Sequence, residues 1–244
     1  IMRNWKEDIL NPIVSICCIT YNHEKYIEEA VDSFLNQETD FPFEVIIGED
    51  CSADQTRKKI EAYIEKFPNI IKLITSENNV GMNRNLGRIF SASKGEYIAI
   101  CEGDDYWIDS KKLQIQIEEM KKHSDVDISF HPVYQLKNEK IAKKLCNHSS
   151  KNKVFTTEEV ILGDGGFMPT NSLIIKKEVL HNLPKWFYEY APIGDYYIQM
   201  FGSRKSGALY INKLMGIYRV SHSNSWTDKM KTSEKIKEYR IKTD

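Results

Sequence analysis

Glycine and proline are scarce in this chain of 244 residues, numbering 12 and 7, which excludes a collagen-like or low-complexity polypeptide. Its 5 cysteines contain no Cys-x-x-Cys pair. Cys17 and Cys18 stand side by side in an apolar run, so reduced thiols are expected instead of a disulfide framework. Histidines occur singly and lack the spacing of a zinc site. Charge of one sign is also missing: 34 Lys and Arg against 35 Asp and Glu give a net charge of −1. No global field draws the chain onto nucleic acid, and any recognition of phosphate must be local. No segment approaches the roughly 18 consecutive apolar residues that span a bilayer, and no charged n-region precedes an apolar h-region. The expectation is a cytoplasmic protein, with peripheral contact to the inner face of the plasma membrane left open. Two phosphate-binding devices are absent as well, the G-x-x-x-x-G-K-[ST] loop and a G-x-G-x-x-G between strand and helix. Gly163-Asp164-Gly165-Gly166 follows a short helical pattern and reads as a turn.

What is present is a globular composition, 41% hydrophobic and 28% charged, and a regular alternation of patterns. Ile13 to Thr20 is a nearly continuous apolar run, the signature of a strand buried on both faces. Tyr26, Ile27, Ala30, Val31, Phe34 and Leu35 then recur at helical spacing. Strands are expected at Phe43–Ile47, Ile70–Ile74, Tyr97–Cys101 and Asp127–Tyr134, with helices after Ser52, over Arg84–Ala92 and over Lys111–His123. Ser52 with Gln55 resembles a capping box for the second helix. This is a βαβ pattern, which implies an α/β fold with a mostly parallel, Rossmann-like sheet flanked by helices. The remainder is mixed. Lys137–Lys153 reads as a solvated hairpin or loop, Thr156–Leu162 as a helix, Ser172–Ile175 as a strand, Gly194–Phe201 as a helix and Ala208–Val220 as one or two strands. The expectation is one domain over 1–244: a ligand-binding part at 12–135, a smaller mixed part at 136–222, and a charged, helical tail at 223–244.

In an open parallel sheet, ligands bind outside the carboxyl ends of the strands where the strand order reverses. The expected strand ends read Thr20-Tyr21-Asn22-His23, Gly48-Glu49-Asp50 and Glu102-Gly103-Asp104-Asp105. One pair of acids is ordinary loop solvation. Two pairs at one edge repel unless a cation or hydrogen-bond donors offset them. Without a glycine cradle, diphosphate charge is better met by Mg²⁺ or Mn²⁺ on carboxylates.

These segments, with Asp50-Cys51-Ser52-Ala53-Asp54, Asn79-Val80-Gly81, Arg84-Asn85 and Lys94-Gly95-Glu96-Tyr97, resemble the ordered motifs of family 2 glycosyltransferases with the GT-A fold, over about residues 12 to 125 and more weakly to 220. The resemblance implies a nucleotide-sugar donor, a divalent metal (Mn²⁺ or Mg²⁺), and inverting transfer to a saccharide or lipid-linked saccharide acceptor in bacterial surface-polysaccharide synthesis. It implies that Thr20, Tyr21 and Asn22 line the base and ribose, and that Asp50 reads the uracil of a UDP-sugar, with Glu49 in place of a second Asp. It further implies that Arg84 lies near the donor phosphates, Asp104 near ribose or sugar, and Asp105 on the metal. Asp195, in Gly194-Asp195-Tyr196-Tyr197, matches the catalytic base; a helix cap is the alternative. Thr170 and Asn171 match a segment facing acceptor hydroxyls. Tyr218-Arg219-Val220-Ser221-His222 resembles a terminal Tyr-Arg-x-His element with one residue inserted, which makes His222 a metal ligand or a plain surface histidine. Trp107 either stacks on an acceptor sugar or closes the core.

Two other classes remain to be separated. A sugar nucleotidyltransferase on a similar fold wants a glycine-rich, basic loop after the first strand, where this chain has Tyr21-Asn22-His23-Glu24. A non-catalytic carbohydrate-binding protein has no need of Asp104, Asp105 and Asp195 together.

Overall fold

The computed structural model describes residues 10–191 and 194–220. The first apolar run forms β1 (Val14–Thr20), buried at every residue as an inner parallel strand must be. It is followed by α1 (Ile27–Leu35), β2 (Phe43–Glu49), α2 (Thr56–Lys66), β3 (Ile71–Thr75), α3 (Met82–Ala92) and β4 (Tyr97–Ile100). Next come β5 (Tyr106–Trp107), α4 (Lys112–Lys122), β6 (Ile128–Phe130), β7 (Val133–Lys137), β8 (Lys140–Leu145), β9 (Lys153–Phe155) and α5 (Thr157–Leu162). A 3₁₀ turn (Thr170–Ser172), β10 (Ile174–Lys176), α6 (Lys177–His181), α7 (Lys185–Tyr190), α8 (Gly194–Ser203), β11 (Ala208–Tyr210) and β12 (Gly216–Val220) complete the described chain.

Eight of these strands make one sheet in the order β3-β2-β1-β4-β10-β6-β11-β9. β1 pairs in parallel with β2 on one side and with β4 on the other. The chain therefore winds outward from β1 in both directions, and the reversal lies between β1 and β4. β10 enters antiparallel between β4 and β6. Apolar side chains alternate along β1 and β4 into two cores. Ile16, Cys18 and Ala99 pack toward α1 and α4, whereas Cys17, Ile98 and Ile100 pack toward α3 and α8.

A second sheet, ordered β5-β12-β7-β8, was not resolved from the first by pattern alone. The single strand expected over Asp127–Tyr134 is two: β6 ends in the large sheet, and β7 joins the small one. Pro132 lies between them, and a proline has no N–H to donate to a ladder. Ala208–Val220 divides in the same way into β11 and β12. The lysine-rich segment is a hairpin, β7 against an exposed β8. The capping box expected at Ser52 is not formed. Ser52 Oγ accepts the Asn22 N–H, and the Asp54 carboxylate takes the Thr56 N–H at the start of α2. Thr156 and Glu159 make a true capping box at α5.

One buried ammonium group has no ion-pair partner among the described residues. Lys112 is fully buried, its Nζ lies 4.2 Å from the Trp107 ring centroid, and it has no hydrogen-bond partner among the described residues. Burial pushes its ammonium group down to about 7. The unfolded chain then holds the proton between that value and its ordinary value of about 10.4, so stability rises with pH across the window. The rise is read as the difference between the wild type and a Lys112 variant, because Glu102, which burial raises to about 8, loses stability as pH climbs to that value, and the buried thiols Cys17, Cys18 and Cys101, which burial also raises, do so above about pH 8.5. Lys112→Met is expected to raise stability at pH 7 by about 1–4 kcal/mol and to flatten this slope. Thermal melting of both proteins at several pH values checks it; parallel curves would contradict the assignment.

Candidate active site

Three strand ends and the first turn of α8 build the site. At the end of β1, Thr20 is buried, its Oγ1 without a hydrogen-bond partner among the described residues and close under Gly103. A Cβ at Gly103 would lie 2.7 Å from that oxygen, so a larger residue could not bring the acid loop down onto β1. Tyr21 is 36% exposed and open to a ligand. Asn22 adopts φ +56°, a conformation asparagine tolerates well. Its Oδ1 accepts the Ala53 N–H at 2.8 Å and its own N–H donates to Ser52 Oγ at 2.9 Å, which fastens the β1 loop to the β2 loop.

The acids after β2 face inward. Glu49 is fully buried; Arg57 Nε and Nη2 reach its Oε2 at 2.7 and 2.6 Å, and Ser52 N–H donates to Oε1 at 2.5 Å. Asp50 accepts the Val80 and Gly81 N–H groups at 2.8 and 3.0 Å and the Ser76 hydroxyl at 3.3 Å. It thereby shapes the loop leading into α3. Gly81, at φ +86°, makes the turn. Arg84 is exposed on the first turn of α3.

The acids after β4 converge. Asp105 is 1% exposed, and its Oδ1 accepts the Arg219 N–H at 2.7 Å. Its Oδ2 is buried without a hydrogen-bond partner among the described residues. Asp104 Oδ2 lies 3.9 Å from His23 Nε2. Burial, followed by the charges of Asp104 and Glu102, pushes the Asp105 carboxyl well up, while Arg219 pulls it down. Burial, with Asp104 and Asp195 adding repulsion, raises Glu102 to about 8. A divalent cation is what such a site lacks electrostatically, and the orphaned Asp105 Oδ2 is a suitable ligand. Among the described residues no three His, Cys, Asp or Glu side chains form a metal cage. Asp105 and Asp104 fit a metal of the kind that takes one or two carboxylates and completes its shell from substrate phosphates. His222 lies outside the described residues, as does the tail at 223–244.

Asp195 sits in the first turn of α8. Its Oδ1 accepts the Tyr196 N–H at 2.9 Å and its Oδ2 accepts the Thr170 hydroxyl at 3.2 Å. A capping side chain would reach an amide two or three residues on. Burial raises this carboxyl despite both bonds. Asp195, Glu102, Thr170 and Tyr218 line one cavity.

Some expected sugar contacts are absent because the residues are internal. Asn171 is fully buried, donating from Nδ2 to the Ile217 carbonyl at 2.6 Å, while its own carbonyl accepts Trp107 Nε1 at 2.7 Å. Trp107 is 4% exposed against Phe34, so it closes the core. These bonds tie Thr170, which holds Asp195, to β12, whose Arg219 N–H holds Asp105. Arg219 itself is buried between the Tyr26 and Tyr106 rings and pairs with Glu29 at 2.7 Å. Sequence reasoning passed over Glu102 as a site residue. The period of two along β4 was the signal: Ile98, Ile100 and Glu102 share the side that faces α3 and α8.

A model of the glycosyl transferase family 2 domain matches residues 15–183. The chain belongs to glycosyltransferase family 2. An uncharacterized protein of Mycobacterium tuberculosis strain H37Rv is 31% identical over 214 residues, covering 87% of this chain and 60% of the relative. This chain thus spans about three-fifths of that relative's length. The poly(ribitol-phosphate) beta-N-acetylglucosaminyltransferase TarS of Staphylococcus aureus is 38% identical over 96 residues, 38% of this chain and 16% of TarS. Among solved structures, TarS 1–349 in complex with UDP superposes with a TM-score of 0.67 at 22% identity, over 85% of this chain and 60% of that one. The mannosyltransferase PcManGT of Pyrobaculum calidifontis, in complex with GDP-Man and Mn²⁺, gives 0.65 at 17% identity, over 100% of this chain and 67% of that one. These likenesses show the GT-A fold. No described helix is long and apolar enough to cross a membrane.

Proposed function

We propose that this family 2 chain is an inverting glycosyltransferase that moves a sugar from a UDP-sugar to a saccharide or lipid-linked saccharide acceptor. The observation that carries the reading is the convergence of Glu102, Asp104, Asp105 and Asp195 at the β1/β4 switch point, Asp105 Oδ2 having no hydrogen-bond partner among the described residues. UDP in a TarS complex and GDP-Man with Mn²⁺ in PcManGT support a nucleotide-sugar donor and a divalent metal. Asp104, Asp105 and, beyond the described residues, His222 would hold the cation. When bound, it supplies Lewis acidity to the leaving diphosphate. Thr20, Tyr21 and Asn22 would flank the nucleoside, with Arg84 toward the phosphates. Asp195 takes the proton from the acceptor hydroxyl as that oxygen attacks the anomeric carbon opposite the diphosphate, and UDP departs. In this reading residues 12–135 hold the donor and 136–222 face the acceptor within one domain, at the cytoplasmic face of the membrane.

Two outcomes test the parts. Asp50→Ala is expected to weaken UDP binding by about 1–3 kcal/mol, since the Val80 and Gly81 amides lose their acceptor and the nucleotide side of the site loosens. Titration calorimetry checks this, and unchanged affinity or tighter binding of GDP than UDP by the wild type would move the nucleotide assignment. Thr170→Val removes a bond that lowers the Asp195 carboxyl. The base must be deprotonated to act, so the acid limb of the kcat profile is expected to move to higher pH, with Thr170→Ser restoring it. An unmoved limb would detach Thr170 from the base.

A further inference from the structure

The charge of this chain balances overall and is concentrated in one place. Residues 137–153 hold six lysines, one acid and no arginine, a net charge of +5 within a chain of net charge −1. Lys137, Lys140, Lys143 and Lys144 are exposed on the β7–β8 hairpin. Its two-residue turn, Asn138 and Glu139 at φ +49° and +58°, has the left-handed pair of a tight hairpin, so these lysines project from a preformed scaffold. Glu139 is the one acid, and its carboxylate lies 3.7 Å from Nε of buried Arg219. Among the described residues no carboxylate forms an ion pair with any of the four ammonium groups.

Lysines on an outer strand also block edge-to-edge pairing of sheets. That role does not call for Lys137 directly opposite Lys140, an arrangement that costs stability. A polyanion outside the protein would relieve the repulsion. Three features favour a lipid surface as that polyanion. Ile141, 60% exposed, stands among the lysines, and an apolar side chain between cations suits the boundary of headgroups and acyl chains. Lysine without arginine suits diffuse surface charge more than the forked recognition of single phosphates. Tyr134, the hairpin's aromatic residue, is half-buried with Lys144 Nζ 6.0 Å from its ring centroid, so the hairpin has no open platform for stacked bases. The position of the hairpin is also apt. β8 is outermost in the order β5-β12-β7-β8, and strands about 4.8 Å apart put it roughly 10–15 Å from β12 and β5. Those strands carry Arg219, whose N–H holds Asp105, and Tyr106, the residue after Asp105.

We infer that the β7–β8 hairpin is a docking surface for an anionic lipid bilayer, and that docking there sets the acids after β4 beside the membrane. The surface itself stands on the hairpin; its use, meeting an acceptor held in the bilayer, rests on the transferase reading above.

Co-sedimentation with vesicles tests the inference. Vesicles of phosphatidylcholine alone are compared with vesicles in which phosphatidylglycerol replaces part of it. The wild-type protein is expected to bind the anionic vesicles about tenfold or more tightly, and to leave them as salt rises from about 0.1 to about 0.5 M. Each lysine near an anionic leaflet strengthens binding roughly fivefold. Joint replacement of Lys137, Lys140, Lys143 and Lys144 by Gln is therefore expected to weaken it about a hundredfold or more. Should that variant melt early, the double variant Lys140→Gln/Lys143→Gln replaces it, with an expected loss of about tenfold or more. Replacing Lys58, Lys66, Lys72 and Lys121 by Gln removes the same charge from other exposed positions and is expected to leave binding within about threefold of wild type. Equal or absent binding to the two kinds of vesicle, with UDP still bound, would overturn the inference and leave the transferase reading standing. Anionic vesicles held as well by the hairpin variant, or lost equally by the control variant, would overturn the assignment to the hairpin. Poly(U) bound more tightly than anionic vesicles through the same lysines would make this a nucleic-acid surface and overturn the inference. Vesicle binding by a protein that takes neither UDP nor any nucleotide sugar would uphold the surface and overturn the transferase reading.

Discussion

Asp195→Asn is expected to lower kcat by about 10²-fold or more while leaving donor and metal binding intact. The substitution keeps Oδ1 to accept the Tyr196 N–H, and the new Nδ2 can donate to the Thr170 hydroxyl oxygen in place of the bond that Oδ2 accepts, so the geometry of the α8 turn survives. What it loses is the capacity to hold a proton taken from the acceptor. Burial supports this role by raising the carboxyl, which makes it a stronger base than an exposed aspartate at a helix N-terminus would be. Initial rates at saturating donor, alongside the melting temperature, check the expectation. If Asp195 served only the helix, the Asn variant would turn over at nearly the wild-type rate, and Asp195→Ala would instead cost about 1 kcal/mol of stability.

The second large effect concerns Asp105. Asp105→Asn preserves an acceptor for the Arg219 N–H and removes a charge that burial, Asp104 and Glu102 all disfavour. The folded carboxyl is raised above its unfolded value, so the wild-type protein loses stability there as pH rises through the ordinary carboxylate range. The variant is therefore expected to melt at or above the wild-type temperature at neutral pH. Its transfer rate is expected to fall about 10²-fold or more, because several kcal/mol of diphosphate stabilisation depend on the ligand. A variant that is more stable and nearly inactive is the pattern of a strained functional site. A destabilised but active variant would make Asp105 a structural acid.

Much of the parallel half was legible because parallel strands buried on both faces leave continuous apolar runs. Val14–Thr20, Phe43–Glu49 and Tyr97–Ile100 are such runs, and their ends locate Asp50, Asp104 and Asp105 without further information. The mixed half was harder. Its apolar pattern runs unbroken from β6 into β7 although the two strands serve different sheets, and only Pro132 marks the break. Asn171 and Trp107 look like ligand contacts in sequence because both are polar-capable residues beside motifs. Their partners, each other and Ile217, lie 46 or more residues away and cannot be seen locally. Likewise, Asn22 and Glu49 sit at the correct edge, yet the contacts that define them are bonds between neighbouring loops, to Ala53, Ser52 and Arg57. Glu102 was readable from strand periodicity. The cavity it lines was not, since α3, α8 and β12 meet there only in the fold.

Binding of UDP to the wild-type protein, measured by titration calorimetry with Mn²⁺ and again in excess chelator, tests the central claim most directly. It needs neither the donor sugar nor the acceptor to be known. The expected result is UDP affinity that falls by tenfold or more in chelator, about 1.4 kcal/mol or more, and a metal-dependent part that is absent in Asp105→Asn. Equal affinity with and without the metal in the wild type, or an undiminished metal effect in the variant, would contradict a metal-assisted UDP-sugar site built on the acids after β4.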